Sequence, residues 1–253
     1  ESIGNYSWDT SESSVSGGLG VNEWSQADLM KLLNPGYESE TVGGSLYWNN
    51  QSGTCYNDEN NTTTNCDFTS TGIKNKLKTL ISDVVWNTGS QGTNSWTSAS
   101  GGLTKHFYTY ERSDNTGKIC SSEDYCTDTV ARTTTWTGKV GLMYPSDYGY
   151  ATSGGSTTNR AACLNKELYS WNSSDVSDCI NNDWLFNNGI SWTISPHALS
   201  SRATRAFYIY TGGIIADGDT YYSGAVLPVV YLTSSVGIES GDGSSGNPFT
   251  LKS

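Results

Sequence analysis

Residues 184–232 constrain the fold more than any other part of the chain, because apolar side chains there alternate with tyrosine and polar ones. The clearest run is AFYIY at 206–210. Alternation of this kind predicts a β-strand that buries one face and exposes the other. We therefore expect Phe207 and Ile209 to lie in the core and the two tyrosines to face outwards.

The rest of the segment predicts further strands of the same sheet. Trp184 and Trp192 flank an Asn-Asn-Gly turn, and a Gly-Gly turn at 212–213 leads into the apolar residues 214–216. The run VLPVVYL at 226–232 is almost wholly apolar, which is typical of a strand buried on both faces.

The side chains predicted to be exposed on this sheet suit a binding surface. Tyrosine and arginine combine contact area with directional hydrogen bonds, and both are enriched at binding hot spots. Tyrosine is also a good strand former, so an ordinary solvent-facing sheet is the alternative. We interpret 184–232 as a ligand-display segment. Its candidate ligand-binding residues are His197, Arg202, Arg205, Tyr208, Tyr210, Ile214, Asp217, Asp219, Tyr221 and Tyr222.

Composition indicates an extracellular domain. Only 15% of the residues are charged, while Gly, Ser, Thr, Asn, Trp and Tyr are abundant. The net charge of -11 argues against a nucleic-acid partner, because phosphate binding needs clustered Lys and Arg. No apolar run approaches the ~20 residues of a membrane span, and no signal-peptide pattern is present. Because the sequence begins at Glu1 without a methionine, we expect a mature or trimmed ectodomain.

Cysteine spacing predicts disulfides and an oxidising compartment. The six cysteines form three local pairs, each of which brackets a polar loop. A zinc site is the rival interpretation, but the chain lacks a Cys-x-x-Cys motif and has only two histidines. The predicted bridges are Cys55–Cys66, Cys120–Cys126 and Cys163–Cys179.

Two helices are predicted early in the chain. Ser25 and Asp28 have the spacing of a helix start, and Asn-Pro-Gly at 34–36 ends that helix. The second helix covers 70–85, where apolar residues recur at helical spacing as a core-facing stripe. Its stripe consists of Ile73, Leu77, Leu80, Ile81, Val84 and Val85.

The remaining segments complete one α+β domain over residues 1–253, with a mainly antiparallel twisted sheet and long disulfide-bracketed loops. Outside 184–232 we predict strands at 6–8, 42–48, 107–110, 133–136 and 139–144, a loop at 146–158, and a partly helical segment at 160–178.

Catalytic and metal motifs are weak. Ser195 and His197 are close in sequence, but the Gly-x-Ser-x-Gly elbow is absent and a triad is a spatial property. The second histidine, His106, adds no further pattern. We therefore predict no enzymatic activity, no catalytic residue and no cofactor.

Two pairs of acidic residues leave a weak Ca²⁺ site open, since Ca²⁺ binds oxygen ligands. They are Asp217 with Asp219 and Glu239 with Asp242. Both pairs lie in Gly-rich turns, where Asp is favoured for turn geometry alone. Neither matches the Asp-x-Asp-x-Asp-Gly loop, so we assign no metal ligand.

Several motifs resemble a large group of secreted proteins from gut Firmicutes and Mollicutes-related bacteria. The similar segments are NEWSQADLM at 22–30, VGLMYPSDY at 140–148, NDWL at 182–185, the strands within 192–232, and GDGSSGNPF at 241–249. Many proteins of this group carry a type IV pilin-like N-terminal helix, which the given sequence lacks. The resemblance implies a surface protein, and the helix of these relatives implies a link to a pilus-like fibre.

More distantly, the order Trp192, Ser195-Pro196, a Gly turn and Pro228-Val229-Val230 is similar to the C-type lectin-like fold. The relevant branch contains formylglycine-generating enzymes and the variable proteins of diversity-generating retroelements. In that branch the late strands and loops display the variable, ligand-contacting residues.

This chain departs from that branch at several positions. Leu227 stands where the family has an arginine before the last strand, and the calcium-dependent sugar motifs are absent. The catalytic cysteines of the enzyme branch would have to be Cys163 or Cys179, which we interpret as structural.

Three functional hypotheses follow. The first is a binding or adhesion module on the bacterial surface, which presents a Tyr/Arg-rich face to a protein or glycan ligand. The second is a pilin-like structural subunit with fibre or homo-oligomer contacts and no ligand site. The third is an enzyme related to the formylglycine-generating group.

Overall fold

The computed structural model describes residues 1–11, 20–89, 102–112, 133–172, 177–186, 189–197, 204–244 and 246–252. Its helices are α1 (Asp28–Leu33), α2 (Leu46–Asn49), α3 (Asn75–Lys78), α4 (Thr104–Glu111), α5 (Pro145–Ala151), α6 (Arg160–Leu164) and α7 (Ser177–Asn181). Short 3-10 helices cover Trp24–Gln26 and Leu168–Ser170. No helix in these ranges is long and apolar enough to span a membrane.

The strands are mostly paired in an antiparallel manner, and together with the helices they make a mixed α+β structure. They are β1 (Asn5–Ser7), β2 (Ser52–Tyr56), β3 (Thr63–Asp67), β4 (Val84–Asn87), β5 (Thr135–Gly138), β6 (Val140–Leu142), β7 (Ser191–Pro196), β8 (Arg205–Ile209), β9 (Ile215–Asp219), β10 (Ser223–Ala225), β11 (Pro228–Val230), β12 (Gly237–Ser240) and β13 (Thr250–Lys252).

A central sheet with the order β1-β10-β7-β8-β9 organises the structure. The β10–β7 pair is parallel, and the other pairs of this sheet are antiparallel. The described residues also form four two-stranded sheets, which pair β2 with β3, β4 with β5, β6 with β11, and β12 with β13. Most of the central sheet therefore comes from residues 184–232, the predicted ligand-display segment. The first strand, β1, forms one edge of the sheet.

Each face of the central sheet packs against its own hydrophobic cluster. Trp192 and Ala206 belong to the first cluster, which also contains Trp24 and much of α1. Phe207 and Ile209 belong to the second cluster, which contains residues of α4–α7. Because successive strand residues point to opposite faces, neighbours in β8 enter different clusters.

The predicted alternation in 206–210 is confirmed for Phe207 and Ile209, but the opposite side of the strand is not wholly exposed, because Ala206 is buried and Tyr208 packs against the first cluster. Phe207 and Ile209 are buried, Tyr208 is half-buried, and Tyr210 is exposed. The Gly-Gly turn also forms, with the Gly213 amide donating to the Tyr210 carbonyl at 2.8 Å. Gly213 has a φ of 72°, and a Cβ there would lie 2.5 Å from Ile180, so glycine is required for both reasons.

The prediction of one fully buried strand at 226–232 is wrong. The run starts directly after β10 of the central sheet and continues into a different sheet. Pro228 begins the short β11, which pairs with β6. Val229 and Val230 are only half-buried, and Tyr231 is exposed. The apolar run therefore links two sheets and does not form the middle strand of a single sheet.

The predicted helix over 70–85 is also wrong in most of its length. The structure has only the short α3 there and then the strand β4, in which Trp86 pairs with Trp136 of β5. Val85, placed on the core-facing stripe, is exposed. The β-branched residues before Trp86 favour a strand, and this preference together with the pairing outweighs the helical spacing.

Three other segments are helical where strands or a loop are predicted. Residues 42–48 contain the start of α2, residues 107–110 lie in α4, and the predicted loop at 146–158 begins with α5. In α4 the buried side chains, Thr104, Phe107 and Glu111, lie three and then four residues apart, which is the spacing of a helix face. Four residues of alternating type are too few to distinguish the two periods.

The first predicted helix is confirmed as α1, preceded by a 3-10 turn, but its start differs. Ser25 donates to Glu23 rather than capping α1. Asp28 accepts hydrogen bonds from the amide and hydroxyl of Thr10, both at 2.9 Å. The predicted strands at 6–8, 133–136 and 139–144 correspond in part to β1, β5 and β6.

Two predicted disulfides are confirmed. Cys55–Cys66 joins β2 to β3, and Cys163–Cys179 joins α6 to α7 inside the second cluster. The pair Cys120–Cys126 lies outside the described residues.

Candidate ligand-binding face

Tyr208 is the anchor of the candidate face. It lies in β8 beside Trp192 of β7, and the two rings meet edge to face with centroids 5.5 Å apart. Trp192 is fully buried, and its indole nitrogen donates to the Tyr6 carbonyl of β1 at 3.0 Å. The ring of Tyr208 therefore packs against a side chain that is held in place by burial and by a hydrogen bond to β1.

Three more tyrosines extend the surface around Tyr208. We call Tyr208, Tyr210, Tyr221 and Tyr222 the tyrosine face. The Tyr208 and Tyr210 rings are 6.3 Å apart, and those of Tyr221 and Tyr222 are 4.4 Å apart. Tyr210 is 44% exposed and Tyr222 is 51% exposed, so both present large aromatic areas to solvent.

Gly218 lets the tyrosine face lie close to the edge strand β9. A Cβ at this position would lie 2.7 Å from the Tyr208 ring and 3.5 Å from the Tyr222 ring. Glycine therefore allows the Tyr208 ring to approach the backbone of β9. The hydrogen bond with Tyr222, assisted by burial, raises the pKa of Tyr221 to about 12, so this phenol stays neutral at physiological pH.

The predicted charged residues form a separate cluster. Arg205 donates to Asp217 at 2.8 Å, and its Nε lies 3.5 Å from Asp219. The Thr204 hydroxyl also donates to Asp219, at 2.9 Å. Burial lowers the pKa of Arg205, but the two carboxylates outweigh burial and raise it overall.

This charged cluster does not share a face with Tyr208, which corrects the prediction of one exposed side. Arg205 pairs with Asp219 and Phe207 pairs with Asp217, so the three charged residues lie on the Phe207 face. They reach solvent only at the sheet edge, where Arg205 is half-buried. Arg205 and Asp217 still lie close enough to influence the pKa of Tyr208, which burial raises.

His197 and Asp219 are buried, which corrects their assignment to the exposed side. The His197 amide donates to the Arg205 carbonyl at 2.8 Å, and its ring meets Phe207 edge to face at 4.9 Å. Its Nδ1 lies 3.8 Å from Asp217. His197, the residue directly after β7, is therefore buried, because its imidazole packs against the second cluster.

The other predicted residues are distributed unevenly. Ile214 is half-buried and packs against the second cluster. Asp217 is half-buried beside Arg205, and Arg202 lies outside the described residues. The structure therefore brings the four tyrosines together, and it places the charged residues at the neighbouring sheet edge.

Residues considered for catalysis and metal binding have other surroundings. Ser195 is buried in β7, and Cys163 and Cys179 are joined in a disulfide. Asp217 and Asp219 both face Arg205. In the described ranges, no group of three or more His, Cys, Asp or Glu side chains is arranged to hold a metal ion.

Among the described residues, three buried carboxyl groups with strongly raised pKa values were missed by reasoning from the sequence. Burial raises the pKa of Asp9, Glu111 and Asp183 to about 7, and Asp28 contributes to the shift of Asp9. Glu111 shares a helix face with Phe107, so a correct assignment of α4 would have placed it in the interior. The sequence carries no comparable signal for Asp9 or Asp183.

Comparison with known proteins yields no relative: no protein-family model matches the chain, and no curated protein or solved structure shows significant similarity to it.

Proposed function

We propose that the protein is a binding module of the bacterial cell surface and that the tyrosine face is its contact surface for a protein or glycan ligand. The main support for this proposal is that Tyr210 and Tyr222 are exposed beside Tyr208. The ring of Tyr208 packs against the buried Trp192. Exposed aromatic clusters on a soluble domain often mark binding sites.

The rigidity of the face favours binding. Ordering flexible side chains on association costs free energy, and tyrosine loses few rotatable bonds for the area that it contributes. Trp192 below and Gly218 beside the rings already restrict Tyr208 before any ligand arrives.

The setting proposed is extracellular, and the architecture proposed is C-type lectin-like. Disulfides persist in oxidising environments, and two bridges occur in the described residues. The display of the tyrosine face by the late strands β8 and β9 and by the turn after β9 agrees with the resemblance to retroelement-diversified variable proteins.

A pilin-like structural subunit is the second candidate, and one feature favours it. The C-terminal hairpin β12–β13 exposes Ile238, Phe249 and Leu251. Exposed apolar side chains on a two-stranded hairpin suit contact with another subunit. Under this alternative the tyrosine face would have no ligand, and the hairpin would mediate fibre or homo-oligomer contacts.

The test is a binding screen with matched tyrosine variants. The wild-type protein is applied to a glycan array and to intact gut epithelial cells, and the variant Tyr210→Ala/Tyr222→Ala is then compared on every positive target. We expect at least about tenfold weaker binding at an unchanged melting temperature. Tyr108→Ala is the control, because Tyr108 is similarly exposed on α4.

Two results would contradict the proposal. In one, the double variant binds its targets as well as the wild type does. In the other, binding is lost only in Tyr108→Ala, which would place the contact surface elsewhere. Loss of self-association after removal of the hairpin, with no binding in the screen, would favour the structural subunit.

A further inference from the structure

A second candidate site lies in a cleft that is separate from the tyrosine face. The cleft forms where α5 meets the turn after α7, and its volume of about 340 Å³ suits a small molecule. Its lining is mainly apolar and aromatic, with one carboxylate. The residues that matter are Met143, Asp147, Tyr150, Trp184, Leu185 and Val229.

Trp184 and Tyr150 provide the aromatic walls. Trp184 is 78% exposed, so its indole lies open to the cleft and to solvent. Its turn is held in place, because Asp183 forms a β-bridge with Thr152 at the end of α5 and accepts from the Leu185 amide at 2.9 Å. An apolar ring held in this exposed position is available to a ligand.

Asp147 gives the cleft its negative charge. Its Oδ2 accepts from the Tyr144 amide at 3.0 Å, but no described residue donates to its Oδ1 or pairs with it as a cation. The nearby Arg112 is already paired with Glu111 at 2.9 Å. Burial raises the pKa of Asp147, since its ionised form is poorly solvated, although Tyr144 and Arg112 oppose the shift.

Asp183, next to Trp184, adds to the excess of acidic groups. Its Oδ2 is buried and has no hydrogen-bond partner among the described residues. This end of the molecule therefore combines two carboxyl groups without a described cationic partner and two aromatic walls.

We propose that this cleft binds a small molecule with an organic ammonium group. Asp147 supplies the opposite charge, and the electron-rich faces of Trp184 and Tyr150 attract the cation. Met143, Leu185 and Val229 pack against the alkyl substituents of the ammonium. An anionic ligand would be repelled by Asp147, and a sugar would find few partners for its hydroxyl groups on the apolar walls.

The first test compares a cation with a neutral molecule of the same shape. Choline and 3,3-dimethylbutan-1-ol differ in having a nitrogen cation or a carbon at the branch point, and binding of each is measured by calorimetry. We expect choline to bind at least about tenfold more tightly than the neutral compound. A partly desolvated cation on aromatic rings contributes a factor of about this size. Equal binding of both compounds, or no binding of choline, would overturn the proposal.

Two site variants locate the binding. Asp147→Asn keeps an oxygen for the Tyr144 amide while removing the charge, and Trp184→Ala removes an exposed ring. Each should weaken choline binding about tenfold at an unchanged melting temperature. Val85→Ala, on the exposed side of β4 and outside both sites, should bind choline as the wild type does. Unchanged binding in both site variants would refute the assignment to this cleft.

A third probe distinguishes the source of the ammonium group. The proposal commits to a small soluble molecule, so Nα-acetyl-lysine amide, which represents a protein side chain, should bind more weakly than choline. Tighter binding of the lysine compound would overturn this commitment and indicate a protein partner.

Discussion

Glu111 makes the stability of the protein depend on pH in a direction that can be tested. Its side chain is only 1% exposed, it accepts from the amide and hydroxyl of Ser146, and it pairs with Arg112. Burial nevertheless raises the pKa of Glu111 from 4.5 to about 7. The folded protein thus prefers the protonated acid, whereas the unfolded chain titrates near 4.5.

The sign of the effect follows from proton binding. Between pH 4.5 and 7 the folded state holds a proton that the unfolded state has lost, so rising pH favours unfolding. Stability from this group is complete below about pH 4.5 and is lost as the pH rises through about 7. The difference between the two pKa values corresponds to a free energy on the order of 3 kcal/mol.

Glu111→Gln isolates this contribution. Glutamine keeps a carbonyl oxygen for the Ser146 amide and supplies an N–H group toward the Ser146 hydroxyl, but it cannot ionise. At pH 4.5 the variant and the wild type should have similar free energies of unfolding. At pH 8 the variant should be more stable, by up to about 3 kcal/mol.

The assay is urea unfolding of both proteins at pH 4.5, 6 and 8. Asp9 and Asp183 also have raised pKa values, so the difference between the proteins, and not the wild-type curve, tests the role of Glu111. Glu239→Gln, on the exposed strand β12, is the control and should stay within about 0.5 kcal/mol of the wild type. A pH-independent difference between wild type and Glu111→Gln would refute the reasoning.

Three further predictions concern stability. Phe207→Ala should lower the free energy of unfolding by about 4 kcal/mol in urea titrations, because the ring is buried and makes two edge-to-face contacts. Tyr210→Ala should change it by less than about 0.5 kcal/mol, and equal costs would contradict the assignment of faces. Replacing Cys163 and Cys179 by serine should cost about 2–4 kcal/mol and lower the melting temperature, since the bridge closes a loop inside the second cluster. Ending the chain at residue 236 should leave the melting temperature nearly unchanged, because neither core cluster includes the hairpin that follows; a large drop would show that the hairpin supports the core.

The sequence predicted the fold best where one local pattern determined the outcome. In 206–210 the alternation of apolar and tyrosine residues matched the register of β8 with its neighbours. The bridges Cys55–Cys66 and Cys163–Cys179 followed from local spacing, since each joins adjacent elements. The assignment of short runs such as 107–110 was wrong, because the helix and strand periods cannot be distinguished over four residues.

Prediction of the site depended on whether its residues were close in the chain. The four tyrosines lie in or beside two paired strands, so their proximity could be inferred from the turn between those strands. The charged residues were placed on the wrong face, although the two-residue spacing of Arg205 and Phe207 already assigns these two to one side of β8. The side of Asp217 follows only from the register of β9 with β8. The cleft at Trp184 was missed, because it exists only when α5 and a distant turn come together.

The pairing of β1 with β10 has a consequence for the time at which the protein can fold. Asn5 pairs with Ala225, and Trp192 donates to the Tyr6 carbonyl, so β1 has no strand partner until β10 has been made. Closing so long a loop is entropically costly, and contacts of such high sequence separation slow folding. At synthesis rates of about 5–20 residues per second, β1 waits roughly ten seconds or more for its partner. Because β7, β8 and β9 are also late in the sequence, the central sheet cannot assemble before this time, and the elements that precede it must wait for their main packing surface.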